Sequence, residues 1–112
     1  MEENVFPDFI ANLPEADVPF PDVKIRLLQG ENIQAAFTDN NVKGEAAEHS
    51  HGAQWGIVVE GEMELTIDGT TKVYRKGDHY YIPDGAPHSG RFNTRVRTID
   101  IFAEPDRYLV KE

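Results

Sequence analysis

From residue 22 onward the chain never sustains a helical period across eleven residues; it is a succession of short strand-like runs broken by turn residues. The clearest run is EMELTIDG (62–69), where Met63, Leu65 and Ile67 alternate with Glu62, Glu64, Thr66 and Asp68. A period of two puts every second side chain on one face of a strand. Asp68-Gly69 then supplies the positive φ angles of a tight hairpin. Eight further runs read the same way: KIRLLQ (24–29), IQAAFT (33–38), EAAEHSH (45–51), WGIVVE (55–60), KVYR (72–75), YYIP (80–83), HSGRF (88–92) and VRTIDIF (96–102). Nine short strands in about 90 residues predict an all-β chain closed as a sandwich or barrel, and suit a small jelly roll.

The first 21 residues are different. Pro7, Pro14, Pro19 and Pro21 leave room for a short helical turn over Phe6–Leu13 and otherwise an extended arm. The expected organisation is an arm, 1–21, followed by one β-barrel domain, 22–112. Such an arm can lie across a neighbour's sheet edge, which predicts a homodimer.

Composition narrows the function. A chain of 112 residues is one domain, with 20 acidic and 11 basic residues and a net charge of −9. That balance excludes nucleic acid and anionic membranes as partners, because both require a basic footprint. A local cation could still hold an anionic small molecule. There is no cysteine, so a metal would need nitrogen and oxygen ligands. The N-terminal stretch is acidic and lacks a long apolar run, so neither a signal peptide nor a membrane span is expected, and the cytoplasm is the expected location.

Residues 49–55 read HSHGAQW. On a strand His49 and His51 project to the same face, about 6–7 Å apart at Cα, which suits two imidazoles on one metal and equally two solvated surface histidines. Further on, GDHYYIPDGAPH (77–88) sets a proline between two glycines and brings His88 to a strand start.

These residues resemble the two motifs of the cupins, a superfamily of small β-barrels. The second motif runs without a gap from Gly77 through Pro83 and Gly85 to His88; the first runs from His49 to Gly61. The sequence departs from the family in four places: Gly44 lies one residue nearer to His49 than usual, Gln54 stands where most members have Glu, the turn before it is short, and Phe92 replaces an asparagine. The resemblance implies a cupin jelly-roll barrel in which His49, His51, Gln54 and His88 converge on one divalent transition metal ion. Thiolate-free, nitrogen-rich ligation suits Ni, Mn, Fe, Co or Zn. Three neutral imidazoles and an amide would leave its charge uncompensated, a good anchor for an anionic substrate. His79 falls outside both motifs and reads as a surface histidine.

In the last strand, Thr98, Asp100 and Phe102 share one face, and Ile99 and Ile101 the other. The pattern alone does not say which face is interior. A narrower resemblance, to the pectin-degradation cupins that open the ring of 4,5-unsaturated uronates, implies that Asp100 and Phe102 line the pocket and that Arg107 contacts the sugar acid. Arg107 stands one residue further from Phe102 than in that group. Gln in the first motif is also typical of it. Trp55 and Tyr81 could shape the pocket, though Trp55 reads first as core; Arg91 could reach the mouth, though Arg91, Arg95 and Arg97 read first as charge balance for an acidic surface. The function expected is isomerisation or ring opening of a small sugar acid. The alternatives are an Fe(II)-dependent dioxygenase of a small molecule and a non-catalytic, metal-dependent small-molecule binding protein.

Overall fold

The computed structural model describes residues 5–41 and 43–112. Among them are one helical turn, α1 (Asp8–Ala11), and nine strands: β1 (Val23–Gln29), β2 (Gln34–Asn40), β3 (Gly44–His49), β4 (Gln54–Glu60), β5 (Glu62–Ile67), β6 (Thr70–Arg75), β7 (His79–Ile82), β8 (His88–Phe92) and β9 (Val96–Phe102). All pair antiparallel, in a five-stranded sheet β1-β2-β9-β4-β7 and a four-stranded sheet β3-β8-β5-β6. This is the jelly roll the strand pattern predicts. Asp68 and Gly69, both at positive φ, make the β5–β6 hairpin.

Two apolar clusters fill the space between the sheets. One joins Val58, Met63, Leu65, Tyr80, Ile82, Ala86 and Val96. The other joins Ile25, Leu27, Ala36 and Phe102 to Ala16 from the N-terminal segment. That segment is therefore part of this chain's own core. Pro14–Asp17 runs beside β1: Leu27 N–H donates to Pro14 O (2.8 Å) and Ala16 N–H to Ile25 O (2.8 Å). On its other side Asp17 N–H donates to Leu109 O, and Lys111 N–H to Glu15 O. The proline-rich stretch and the C-terminal tail thus cover the β1 edge, which would otherwise present unpaired backbone groups. Phe6 packs edge-on against Phe37 of β2. No helix among the described residues is long and apolar enough to cross a membrane.

Candidate metal centre

The first two histidines owe their placement to an irregularity. β3 pairs with β8 as Ala46↔Gly90 and then His49↔His88, so β3 carries one extra residue between the two pairs. An unbroken ladder from Ala46 would bring Glu48 opposite His88 and turn His49 outward. The bulge shifts the alternation by one and puts His49 beside His88 on the interior face. The strand ends there, and His51 follows in the turn before β4. The second motif closes onto the first: Gly85 N–H donates to His51 O (2.9 Å).

The three rings lie together, with centroids 4.3 Å apart for His49–His88, 4.7 Å for His51–His88 and 5.3 Å for His49–His51. Each Nδ1 faces a backbone carbonyl: His49 with Ala47 O (2.8 Å), His51 with Gly52 O (2.8 Å), His88 with Ala86 O (2.9 Å). A carbonyl only accepts, so each Nδ1 carries a proton, and in a neutral ring that leaves the lone pair on Nε2. His51 Nε2 and His88 Nε2 are 3.1 Å apart. Two lone pairs at that distance repel unless a cation lies between them. Burial, chiefly, holds the pKa of His51 and of His88 below that of an ordinary imidazole, and nearby Arg107 pushes both the same way, which favours the neutral, ligand-ready form. Candidate ligand atoms of all three lie within 4.8 Å of one another. The backbone-anchored Nδ1 groups are what a nitrogen-bound divalent metal requires of its ligands, and the cluster fits one.

Gln54 opens β4, paired with Phe102 on one side and Ile82 on the other. Its side chain turns inward and its Nε2 donates to Asp100 Oδ1 (2.8 Å), which leaves the amide oxygen as its remaining acceptor. This contact gives a physical reason for Gln where most cupins have Glu: a carboxylate at 54 would face the carboxylate of Asp100.

The face of β9 that pattern alone leaves open is settled: Thr98, Asp100 and Phe102 are interior and buried. Asp100 accepts three hydrogen bonds, from Gln54 Nε2 and Tyr80 Oη (2.6 Å) on Oδ1 and from Thr98 Oγ1 (2.9 Å) on Oδ2. Burial nonetheless raises its pKa above that of an ordinary carboxyl, outweighing the three donors, and the Tyr80 phenol is pushed well up for the same reason, with Asp100 adding to it. Asp100 lies opposite Ala36 and Gly56, two small residues. A Cβ on Gly56 would collide with Asp100 Oδ1 and the Tyr80 ring, so only glycine lets Tyr80 cross β4 to reach the carboxylate.

Phe102 stands edge-on to the His51 ring at 5.4 Å. Arg107 sits in the tail beyond β9, its guanidinium carbon 5.8 Å from the Phe102 ring centroid and 4.7 Å from that of Tyr108. Its Nε is buried with no hydrogen-bond partner among the described residues.

Four residues that the sequence reading did not single out hold this arrangement: Tyr80 and Thr98 on Asp100, and Gln34 and Glu104 behind the loops. Fully buried Gln34 donates to Tyr108 O (3.0 Å) and accepts from Tyr108 N–H (3.0 Å), fixing the tail beside Arg107. Glu104 Oε1 accepts from Gly52 N–H (2.9 Å), pinning the residue whose carbonyl holds His51. From sequence, only the shared face of Thr98 and Asp100 and, once β7 is placed, the inward alternation of Tyr80 were available. Trp55 corrects an expectation: it is not core but 41% exposed on the outer face of the five-stranded sheet, with Tyr81 beside it. Its outward direction follows from Gln54 and Gly56 pointing in. His79 is exposed, as expected, and stacks on Trp55. Arg91 pairs with Glu45, Arg95 with Asp39, and Arg97 with Asp39 and Glu60.

Residues 39–102 match the family model of the cupin domain. No curated protein matches the chain. Among solved structures, an RmlC-like cupin from Shewanella frigidimarina NCIMB 400 is 27% identical with a TM-score of 0.76, over 87% of this chain and 87% of that one. KdgF from Halomonas sp. is 21% identical with a TM-score of 0.72, over 82% and 86%. Salicylate 1,2-dioxygenase from Pseudoaminobacter salicylatoxidans, in adducts with gentisate, is 18% identical with a TM-score of 0.68, over 77% of this chain and 26% of that one. At these identities the last two establish shared fold alone.

Proposed function

The chain belongs to the cupin family, and from that premise we propose that it is a metal-dependent enzyme that opens the ring of a small anionic sugar acid of the 4,5-unsaturated uronate class. The observation that carries the reading is Arg107. Its buried Nε is an unspent donor on a cation near the histidine cluster, at the end of the lumen where Phe102 approaches His51. A carboxylate is the group that such a donor is built to receive.

His49, His51 and His88 would hold the metal through Nε2, with the Gln54 amide oxygen as a fourth donor. When bound, the metal supplies Lewis acidity toward substrate oxygens. Arg107 clamps the substrate carboxylate and Phe102 offers its ring to the apolar face of the sugar. Ring opening breaks the bond between C1 and the ring oxygen; the C1 hydroxyl loses a proton as the aldehyde forms. The enolate left at C5 then takes a proton at C4 to become the ketone, so the product is an isomer of the substrate. Asp100 takes the first proton and returns the second. Its Oδ1 already accepts two hydrogen bonds, whereas Oδ2 accepts only one, so Oδ2 is the atom that carries the proton. Its raised pKa suits this exchange.

The test uses metal-stripped protein reloaded separately with Ni, Mn, Zn and Fe(II), given a 4,5-unsaturated galacturonate and followed by proton NMR. Metal-dependent ring opening that Asp100→Asn abolishes and Arg107→Ala weakens through KM supports the proposal. No opening with any metal eliminates this substrate class. Oxygen uptake with Fe(II) alone would then identify a dioxygenase, and ligand binding without turnover a binding protein.

A further inference from the structure

Arg107 is not alone at its end of the lumen. In a strand its neighbour would face the other way, but residues 103–108 form turns and bends, and Tyr108 turns inward as well. Its ring packs against the cluster of Ile25, Leu27, Ala36 and Phe102, edge-on to Phe102 at 5.7 Å. The Arg107 guanidinium carbon lies 4.7 Å from its centroid.

This placement is fixed through the backbone. The buried Gln34 amide holds both the N–H and the carbonyl of Tyr108, each at 3.0 Å. Gln34 Nε2 also donates to Gln29 Oε1 (2.9 Å), and Gln29 Nε2 donates to Pro105 O. Two side-chain amides thus tie down the tail on both sides of Arg107. The Tyr108 hydroxyl takes no part: it makes no hydrogen bond to any of the described residues. A phenol on a fixed, half-buried ring ordinarily finds a partner for its O–H. Burial, chiefly, raises the pKa of this phenol; Arg107 works against that and Asp100 with it. The hydroxyl therefore keeps its proton at neutral pH and senses both of the groups assigned to the substrate.

We propose, resting on the ring-opening reading, that Tyr108 donates a hydrogen bond to the ring oxygen of the sugar acid and stabilises the charge that gathers there as the ring opens. C5 of a 4,5-unsaturated uronate bears three groups: the carboxylate, C4 and the ring oxygen. Arg107 takes the carboxylate, and Asp100 returns a proton to C4. When the bond from C1 to the ring oxygen breaks, its electron pair stays on that oxygen, which becomes the enolate oxygen. The proton of the C1 hydroxyl goes to Asp100, and protonation of C4 turns the enolate into the ketone. Tyr108 keeps its own proton throughout. The ring oxygen is one bond from the carbon whose carboxylate Arg107 holds, and Tyr108 is the unspent donor beside Arg107. Before the reaction this oxygen is a weak acceptor, because its lone pair is delocalised into the double bond. It becomes a strong one only as charge develops. A donor placed there acts on the transition state more than on the bound substrate.

The test compares wild type with Tyr108→Phe, both as full chains loaded with metal and given 4,5-unsaturated galacturonate. Phenylalanine keeps the ring against Phe102 and Arg107, so circular dichroism and metal affinity should match wild type. The expected result is a fall in kcat of about 100-fold with KM close to wild type, in contrast to Arg107→Ala, which acts through KM. A second readout needs no turnover. A dihydropyran carboxylate with the ring oxygen and double bond beside its carboxylate has no C1 hydroxyl and cannot open. Cyclohexene carboxylate replaces that oxygen with a methylene group. In titration calorimetry wild type should prefer the first, and Tyr108→Phe should bind the two alike. If wild type opens the sugar and Tyr108→Phe opens it as fast, loses only in KM, or keeps the preference for the ring oxygen, the role of Tyr108 is overturned and the ring-opening reading stands. If wild type opens no uronate, both are overturned.

Discussion

β5 and β9 are both central, antiparallel strands, and they are amphipathic in opposite senses. On β5 the interior face is Met63 and Leu65, and the outer face Glu62 and Glu64. On β9 the interior face holds Thr98 and Asp100 between the apolar Val96 and Phe102, and the outer face Ile99 and Ile101. The difference lies in what each strand has beside it. Leu65 packs into an apolar cluster with Val58, Met63 and Ile82. Asp100 lies between Ala36 and Gly56, whose small size admits the Tyr80 hydroxyl, and three donors from three strands reach it. A buried carboxylate is tolerable only when so provided. The middle of β5 therefore contributes to an ordinary apolar core, whereas the middle of β9 buries polar groups around Asp100 and turns Ile99 and Ile101 outward.

Breaking the ordinary side should cost most. Leu65→Ala removes a buried side chain from the larger cluster and should lower the free energy of unfolding by about 2–5 kcal/mol, read from the urea midpoint. A loss below 1 kcal/mol would mean that the space collapses freely and that β5 is not the stabilising strand. On the inverted side, Gly56→Ala forces a methyl group into the space of Asp100 Oδ1 and the Tyr80 ring. The expected loss is about 1–3 kcal/mol, from overpacking. The variant should also lose the proposed ring-opening activity while keeping wild-type metal affinity, because the carboxylate is displaced and the histidines are not. Full activity in Gly56→Ala would detach Asp100 from the reaction.

The same contrast explains what could be read in advance. Nine strands were legible because each is short, alternates or is bounded by Asp-Gly, Lys-Gly or Asp-Asn turns, and those signals are local. β5 could be assigned inside from outside at once, since its acids and aliphatics alternate. β9 could not: Asp100 and Ile101 contradict the usual rule, and only the partners on β4 and β7, distant in sequence, decide the direction. Trp55 was misread for the same reason, because the rule that large apolar residues go inside fails on a sheet with an inverted face. The histidines were named through motif spacing, but the β3 bulge that turns His49 inward leaves no local mark in EAAEHSH. Gln34 and Glu104 were illegible because their acceptors and donors belong to loops more than fifty residues away.

Glu104 offers a finer probe of the catalytic side. Its Oε1 lies 3.8 Å from His51 Nδ1 but its hydrogen bond is to Gly52 N–H, and the Gly52 carbonyl holds His51 Nδ1. Outer groups of this kind typically tune metal affinity by 10–100-fold. Glu104→Ala should weaken metal binding about 10-fold, measured by competition with a chromophoric chelator, while leaving the urea midpoint within about 0.5 kcal/mol of wild type, since the side chain is partly exposed. Glu104→Gln, which keeps an oxygen for the same N–H, should recover most of the affinity. Equal weakening in both variants would assign the effect to the charge of Glu104 and not to its hold on Gly52.

The smallest change in stability is expected where the change in activity is greatest. Asp100→Asn keeps an oxygen to accept from Gln54 and Tyr80, and its new amide can donate to Thr98 Oγ1 once that hydroxyl rotates. It also removes a buried charge. The folded-state pKa of Asp100 is raised above the ordinary carboxyl value, chiefly by burial, so the folded protein holds this proton more tightly than the unfolded chain does. Stability then falls as pH rises from the ordinary carboxyl pKa through the raised one, because deprotonation is less costly once the chain is unfolded. In metal-free protein the stability of wild type minus that of Asp100→Asn should decline across that window and stay flat below it. Urea midpoints taken at steps from pH 3 upward measure it. A difference that grows with pH would show that ionised Asp100 stabilises the fold through its three donors. The middle of β9 would then stabilise the protein as that of β5 does, and the division between the two strands would not hold.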